Sequence, residues 1–251
     1  MVLSMERWVG KVAIVTGASS GIGAGIADAL VEQGLIVVGV ARRVELIQER
    51  AKQLSGKKGK LHAVKADLSK EEEILKVFEW TTQNLGPVHI LINNAGIVIY
   101  GTLTEGKTED WKKTFDLAVI GLCIATREAV KIMKANQING HIVHINALLG
   151  HKVLPIPDMN VYAASKFATT ALTETLRQEL NHLGLKIKIT SVSPGLVESG
   201  LTTLNDNLTL QRREFYKTLP YLKAEDVANA VTYALSTPEH VQVHELTIAA
   251  D

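Results

Sequence analysis

A glycine-rich turn follows the first apolar run of the chain. The run Val12 to Val15 leads directly into TGASSGIG, from Thr16 to Gly23, and a helical pattern comes next. Glycines in a strand-to-helix turn let a phosphate group approach backbone N–H groups at the positive end of the helix. The sequence therefore predicts a phosphate-binding turn at the edge of an α/β sheet. Its candidate cofactor-binding residues are Gly17, Ser19, Ser20, Gly21, Ile22 and Gly23.

The rest of the chain alternates short β-branched runs with longer amphipathic ones. This alternation is typical of a parallel sheet with crossover helices, and no linker or repeat interrupts it. We predict one domain over residues 1–251, an α/β Rossmann fold with a seven-stranded parallel sheet and helices on both faces. A capping box at Ser69 and Glu72 is expected to open the helix after the third strand. The predicted strands are Val12 to Thr16, Ile36 to Val40, Lys60 to Lys65, Val88 to Ile92, His141 to Ile145, Lys186 to Val192 and Val243 to Ile248.

The segment YAASK puts Tyr162 and Lys166 one helical turn apart on one face. A tyrosine has an unperturbed pKa of roughly 10, so a lone one is a poor proton acceptor at neutral pH. The Lys166 charge, together with an oxidised nicotinamide, would favour the phenolate and make Tyr162 an acid/base. Taken alone, such a pair is typical of ordinary helix surface. Combined with TGxxxGxG and with NNAG after another apolar strand, it indicates an active site.

Over Lys11 to about Ile248 these motifs resemble the short-chain dehydrogenase/reductase family. The resemblance implies that Tyr162 exchanges a proton with substrate and that Lys166 tunes Tyr162 and binds the nicotinamide ribose. It also implies that Asp67 contacts adenine, although an N-cap-like loop carboxylate explains Asp67 equally well on sequence alone. The irregular stretch from Ser193 to about Asn207 would close over the substrate. Further cofactor contacts implied by the resemblance are Leu68, Asn93, Ala95, Gly96, Pro194, Gly195, Val197 and Ser199.

The choice of cofactor follows from charge. An NAD site places an acidic residue about 20 positions past the glycines, where it holds the ribose 2′-hydroxyl. This chain has Arg42 and Arg43 there, and guanidinium groups can bind a 2′-phosphate through charge-assisted bonds. We therefore predict NADP(H). The alternative is that both arginines only solvate the start of a helix.

The chain departs from the family pattern at two catalytic positions. The resemblance puts Ala118 where the family has an Asn and Ala147 where it has a Ser. Losing one donor aimed at developing oxyanion charge costs on the order of 10² to 10³ in rate. Binding should survive better than turnover, because backbone amides, arginines and Lys166 hold the cofactor. Asn146, if a bulge turned it inward, or His151 could supply another donor.

The flanking sequence, including GLCIATREAVKIMK and KAEDVANAVTYALSTPEHVQV, resembles the farnesol-dehydrogenase-like and 17-beta-hydroxysteroid-dehydrogenase-like branch. This implies an oxidoreductase that interconverts alcohol and carbonyl on an apolar, isoprenoid or steroid-like substrate. The segment Val153 to Met159 is either an apolar wall of the substrate pocket or a packed loop. Two alternatives remain open for the chain, a catalytically silent NADP(H)- or ligand-binding homologue and a deliberately inactivated variant.

Composition excludes several classes of partner. A net charge of +1 with no basic stripe argues against nucleic acid. No apolar run approaches 18 residues, so we expect no integral membrane segment and a cytoplasmic location. The single cysteine, Cys123, is expected to be a small core residue, and no metal site is predicted. Helices expected from Trp111 to Met133 and from Tyr162 to His182 are apolar on more than one face, and the family uses them as an interface, so we predict a homodimer or homotetramer.

Overall fold

Seven strands form one sheet in the computed structural model, which describes residues 3–199 and 209–251. All neighbouring strands pair in parallel, in the order β3-β2-β1-β4-β5-β6-β7. The predicted seven-stranded parallel fold is therefore confirmed. The strands are β1 (Val12–Thr16), β2 (Ile36–Ala41), β3 (Lys60–Lys65), β4 (Val88–Asn93), β5 (His141–Ile145), β6 (Lys188–Pro194) and β7 (Glu245–Ile248).

Helices cover both faces of this sheet. One apolar cluster joins α1, α2 and α8 to the sheet, and a second joins α3, α5 and α6 to its other face. Successive residues of β1 enter different clusters, as the two-residue period of a strand requires. The helices are α1 (Gly21–Glu32), α2 (Val44–Gln53), α3 (Glu71–Leu85), α4 (Thr108–Phe115), α5 (Gly121–Ala135), α6 (Tyr162–His182), α7 (Leu210–Lys217) and α8 (Ala224–Ser236).

The central strands are buried on both faces, which explains their continuous apolar sequences. All five residues of β1 and of β5 are buried. The chain winds outward in both directions from the adjacent strands β1 and β4. In open parallel sheets a ligand crevice lies at this reversal, beyond the carboxyl ends of the strands. The topology thus predicts a ligand site at the sheet edge where Thr16 ends β1 and Asn93 ends β4.

Strand ends differ slightly from the prediction, chiefly in β6. That strand begins at Lys188, whose N–H donates to the Gly140 carbonyl, and it continues to Pro194, which pairs with Ile248. The predicted irregular stretch therefore starts two residues later than expected. Its remainder reaches residues 200–208, which lie outside the described residues.

The predicted capping box at Ser69 is wrong. Helix α3 begins at Glu71 after Lys70, and the Ser69 hydroxyl donates to Asp67 instead, at 2.7 Å. Because Asp67 precedes Ser69 in a tight turn, its carboxylate competes for the hydroxyl. Glu73, rather than Glu72, reaches back and accepts the Asp67 backbone N–H at 2.7 Å.

The predicted helix from Trp111 to Met133 is interrupted. A π-helical turn, Asp116–Ile120, joins α4 to α5. Its apolar spacing continues that of the flanking helices, so the sequence carries no signal for it. Cys123, just inside α5, is only half-buried, whereas the sequence predicted a core residue. This partial burial raises the pKa of its thiol. Among the described residues no helix is both long enough and apolar enough to cross a membrane.

Candidate active site

The glycine turn packs too closely for side chains. Gly17 and Gly21 have φ angles of +69° and +56°, in the left-handed region that favours glycine. A Cβ on Gly23 would lie 2.4 Å from the Gly17 carbonyl oxygen and 2.4 Å from Asn94 Nδ2. Ser20 has extended backbone and precedes the first residue of α1. The turn therefore brings bare backbone to the amino end of α1, where backbone N–H groups can bind a phosphate.

Asn94 ties the glycine turn to the end of β4. Its Nδ2 donates to the Thr16 carbonyl at 2.9 Å, and its backbone N–H donates to Thr16 Oγ1, as does that of Ala95. The sequence predicts a cofactor contact at the neighbouring Asn93. The Asn93 side chain is buried and donates to Thr126 Oγ1 at 2.9 Å, so only its main chain could reach a ligand. The second Asn of NNAG was the available signal for Asn94.

Arg43 lies over the glycine turn. Its Nη2 donates to Ser20 Oγ at 3.0 Å and lies 3.5 Å from Ser19 Oγ. This contact ties the end of β2 to the phosphate-binding turn and keeps the Arg43 guanidinium beside it. Arg42, beside it, is exposed.

Asp67 lies close enough to Arg42 for their charges to interact. Burial acts to raise the pKa of the Asp67 carboxyl, but hydrogen bonds from Ser69 and the charges of Arg42 and Lys70 outweigh it and lower that pKa. Leu68 is buried, and its carbonyl lies where a Cβ on Gly121 would be, so the loop after β3 packs closely on α5. These contacts make Asp67 a turn carboxylate that is already hydrogen-bonded locally.

Tyr162 and Lys166 lie at the start of α6, with Lys166 Nζ 5.7 Å from the centroid of the Tyr162 ring. Lys166 is buried, and Nζ donates to the Ile145 carbonyl at the end of β5, at 2.9 Å. Burial lowers the pKa of Lys166 to about 8. Burial, and secondly the charge of Tyr216, raises the pKa of the Tyr162 phenol above its ordinary value. The Lys166 ammonium by itself does not offset the effect of burial on Tyr162.

Two neighbouring segments hold the start of α6. The Gly101 N–H donates to the Asp158 carbonyl at 2.9 Å, and Asn160 Nδ2 donates to the Ile99 carbonyl at 2.8 Å. Asp158 and Asn160 have positive φ angles of 60° and 29°, which these residue types tolerate better than most. The Tyr162 N–H then donates to the Met159 carbonyl at 2.8 Å, so the turn sets the position of the phenol.

A pair of tyrosines near Tyr162 was not foreseen. Tyr216 of α7 is 3% exposed, and its hydroxyl lies 3.1 Å from that of Tyr100, in the loop after β4. Tyr100 precedes Gly101, whose N–H donates to the Asp158 carbonyl just before α6. This contact brings the tyrosine pair close to the start of α6, where Tyr162 lies. The two residues are 116 positions apart, so no local sequence pattern links them.

The two alanine positions offer no polar group. Ala118, 5% exposed, lies in the π-helical turn, and Ala147, 9% exposed, follows β5 with extended backbone. Asn146 donates its Nδ2 to Thr170 Oγ1 at 2.9 Å and is thus committed to α6. His151 Nε2 lies 2.9 Å from Ser193 Oγ and 3.3 Å from a Glu245 oxygen, so this loop histidine is paired with β6 and β7.

The segment after β6 returns to the glycine turn. Ser199 is buried, and a Cβ on Gly21 would lie 3.3 Å from the Ser199 Cβ. Val197 bridges Leu222, and the Gly195 N–H donates to the Ile248 carbonyl at 2.7 Å. The predicted residues from β1, β4, β5, α6 and the end of β6 therefore lie along one edge of the sheet.

Comparisons with known proteins agree with this geometry. Residues 11–209 match the family model described as short chain dehydrogenase. The chain is 46% identical over 246 residues to a farnesol dehydrogenase of Aedes aegypti, covering 97% of each chain. It is 48% identical to dehydrogenase/reductase SDR family member 11 of Gallus gallus, covering 96% of each. A short chain dehydrogenase from Burkholderia cenocepacia in complex with NADP superimposes with a TM-score of 0.85 at 27% identity, over 97% of this chain and 98% of that one. The chain belongs to the short-chain dehydrogenase family.

Proposed function

We propose that this protein is an NADP(H)-dependent oxidoreductase that interconverts an alcohol and a carbonyl on an apolar, isoprenoid or steroid-like substrate. The observation that carries the proposal is the buried ammonium of Lys166, fixed to the Ile145 carbonyl beside the Tyr162 phenol. A phenol with a cation beside it can give or take a proton at a substrate oxygen. This pair shares the carboxyl edge of the sheet with the glycine turn.

The residues at that edge fit NADP(H). The turn around Gly17 and Gly23 admits no Cβ, which suits close approach of a pyrophosphate to the backbone. Arg43 and Arg42 lie where an acidic residue would disfavour a 2′-phosphate. A similar structure holds NADP. When bound, the nicotinamide would accept or supply the hydride of the reaction.

In this proposal Tyr162 holds the proton that is exchanged with the substrate oxygen. Lys166 supplies positive charge beside the Tyr162 phenol, and its hydrogen bond to the Ile145 carbonyl keeps it in place. Because the pKa of Lys166 is lowered only to about 8, the ammonium is mostly charged at neutral pH. The raised pKa of Tyr162 keeps the phenol protonated at neutral pH, so the phenol holds the proton that carbonyl reduction consumes.

Cofactor preference tests the assignment. NADPH should bind at least about tenfold more tightly than NADH, because a charge-assisted bond to the 2′-phosphate contributes roughly 1.5–3 kcal/mol. We expect Arg42→Ala to remove most of that difference, whereas Lys52→Ala, on the exposed side of α2, should leave it intact. Fluorescence titration of both nucleotides measures it. Equal affinities in the unmodified protein would exclude NADP(H) preference.

We propose further that turnover is slow, because Ala118 and Ala147 provide neither a hydroxyl nor an amide. Ala147→Ser should raise kcat about 10²-fold, the effect expected of one oxyanion donor. Adding Ala118→Asn should raise it further, while the Kd for NADPH stays unchanged in both variants. Stopped-flow reduction of an apolar aldehyde provides the measurement. Brisk turnover in the unmodified protein would contradict the proposal.

The hydrogen bonds that Asn146 and His151 already make favour a second candidate function, a catalytically silent homologue that only binds NADP(H) or another ligand. Asn146 Nδ2 and His151 Nε2 already bond to protein groups, which argues against either one replacing the missing donors. The double restoration distinguishes the candidates. An unchanged rate with normal NADPH binding would support the silent homologue, whereas a gain would support the enzyme.

An apolar substrate is supported by the segment before α6. Leu154, Ile156 and Met159 are only half-buried, and Val153 is 76% exposed, so this segment is not a packed core loop. A similar protein is named farnesol dehydrogenase. We expect a long isoprenoid alcohol to be oxidised with a lower KM than a short linear one. We also propose that the protein is a cytoplasmic homo-oligomer.

A further inference from the structure

A cavity of about 280 Å³ opens at the opposite edge of the sheet from the glycine turn. It lies at the amino ends of β1, β4, β5 and β6, and we call it the basal cavity. Four cations line it, Arg7, Lys11, Lys186 and Lys188, together with the carboxylate of Glu239. The cations come from the amino-terminal turn and from the starts of β1 and β6. The proposed cofactor and substrate residues occupy the other edge, so the basal cavity belongs to neither site.

Within residues 3–199 and 209–251, none of the four cations forms an ion pair with a carboxylate. The ion pairs formed within the described residues include none of them. Glu239 interacts with Arg7 and Lys188 only at longer range and is itself exposed. Like charges gathered in a concave site raise its positive potential and attract anions.

Arg7 and Lys188 are held in place with donor capacity left over. Lys188 Nζ donates to the Pro238 and Val241 carbonyls, both at 2.6 Å, which leaves one N–H. Arg7 Nη2 donates to the Leu235 carbonyl at 2.7 Å, while its Nε is buried without any acceptor. The other guanidinium N–H groups of Arg7 and the third N–H of Lys188 line the basal cavity and are the donors that an anion there would meet.

The walls are fixed before any ligand binds. Trp8 is 4% exposed, donates its indole N–H to the Leu235 carbonyl at 2.8 Å, and lies under the Arg7 guanidinium, 4.9 Å from the ring centroid. Burial, and secondly the charge of Arg7, lowers the pKa of Lys188 to about 8. Preorganised donors lose little conformational entropy on binding, which favours affinity.

We propose that the basal cavity binds a small organic phosphate. A phosphomonoester carries close to two negative charges and three acceptor oxygens. These are enough to bind Arg7, Lys188 and one of the two exposed cations at the cavity mouth, Lys11 or Lys186, at once. The cavity volume of about 280 Å³ suits a small ligand. A monocarboxylate would leave most of the positive charge unmatched.

Glycerol 3-phosphate and inorganic phosphate are suitable probes, with glycerol as the neutral control. Calorimetric titration of the NADPH-saturated protein should show saturable binding of both anions and none of glycerol. Saturation with NADPH keeps the probes from the cofactor edge. If NADPH abolishes binding, the anion occupies the cofactor site and the proposal is wrong.

Substitutions of the lining residues test whether the anion binds in the basal cavity. Lys11→Gln with Lys186→Gln removes two exposed, unpaired mouth cations and should weaken binding at least about tenfold. Glu239→Gln should tighten it by removing the competing carboxylate. The matched double variant Lys52→Gln with Lys76→Gln makes the same charge change on α2 and α3 and should have no effect. Absence of binding by either anion, or equal losses in both double variants, would overturn the proposal. Circular dichroism checks that each variant is folded.

Discussion

Tyr162 shares its surroundings with a second phenol. Tyr216 is buried in α7, and its charge is the second cause, after burial, of the raised pKa of Tyr162. Tyr216→Phe keeps the ring and removes the ionisable group, so it should lower the pKa of Tyr162 without opening a cavity. Ultraviolet titration of the phenolates should show the last-titrating tyrosine moving to lower pH.

A matched control separates this effect from any general change. Tyr233 is 43% exposed on α8 and is not among the groups that shift the pKa of Tyr162, so Tyr233→Phe should leave the last titration where it is. The pH at which the rate of alcohol oxidation reaches half its maximum should also be lower in Tyr216→Phe and unchanged in Tyr233→Phe. Identical titration curves for both variants would show that Tyr216 does not influence Tyr162.

Some site residues could be predicted because their chemistry is local in sequence. The glycine turn, Tyr162 and Lys166 each belong to a short motif whose spacing matters. Asn94 was missed because two adjacent asparagines look equivalent until strand direction places one in the core and one on the turn. Tyr100 and Tyr216 were missed because only the folded chain brings a loop after β4 to α7.

At the scale of elements, β5 contains two buried histidines. Burial, and secondly the charges of Lys188 and Arg7, lowers the pKa of His141 to about 3. Burial, and secondly Lys166, lowers that of His144 to about 3. His144 Nδ1 lies 2.9 Å from Thr173 Oγ1, and His141 Nε2 lies 2.9 Å from Thr190 Oγ1. Both rings are therefore neutral hydrogen-bonding groups of the core.

These histidines should make stability fall in acid. In the unfolded chain they take up protons near pH 6.5, whereas in the folded protein they resist until about pH 3. The unfolded state thus binds more protons between these values, so the free energy of unfolding decreases as pH falls from 6.5 toward 3. His141→Leu should flatten this decrease, measured by urea unfolding at several pH values, whereas exposed His240→Leu should not. Equal slopes in the two variants would contradict the assignment.

The strands were predictable because buried parallel strands are apolar on both faces. Two helical details were not. The π-helical turn at Asp116–Ile120 inserts one residue without altering the apolar pattern, and π turns of this kind are frequent at functional sites. The capping box failed because Asp67 competes for the Ser69 hydroxyl, a contest that the spacing alone does not decide.

At the scale of the molecule, the sheet has two differently equipped edges. The carboxyl edge bears the glycine turn, Arg43 and the Tyr162–Lys166 pair, and the amino edge bears the basal cavity. Each central strand that ends at the first edge begins at the second. We expect substitutions at the basal cavity to leave NADPH affinity unchanged, which makes that affinity a useful folding control for the cavity variants.

Assembly provides the last prediction. Phe167 of α6 is 41% exposed and Ile120, just before α5, is 51% exposed, although both helices pack on the same sheet face. Exposed apolar side chains on neighbouring helices favour an isologous contact with a second copy, so we expect a homodimer or homotetramer. Phe167→Glu would place a charge in this apolar contact and should shift the protein to monomer at micromolar concentration, as measured by light scattering. Leu46→Glu makes the same kind of change at a 37% exposed residue of α2, on the opposite sheet face, and should leave the mass unchanged. A monomeric unmodified protein would show that this face is not an interface between copies.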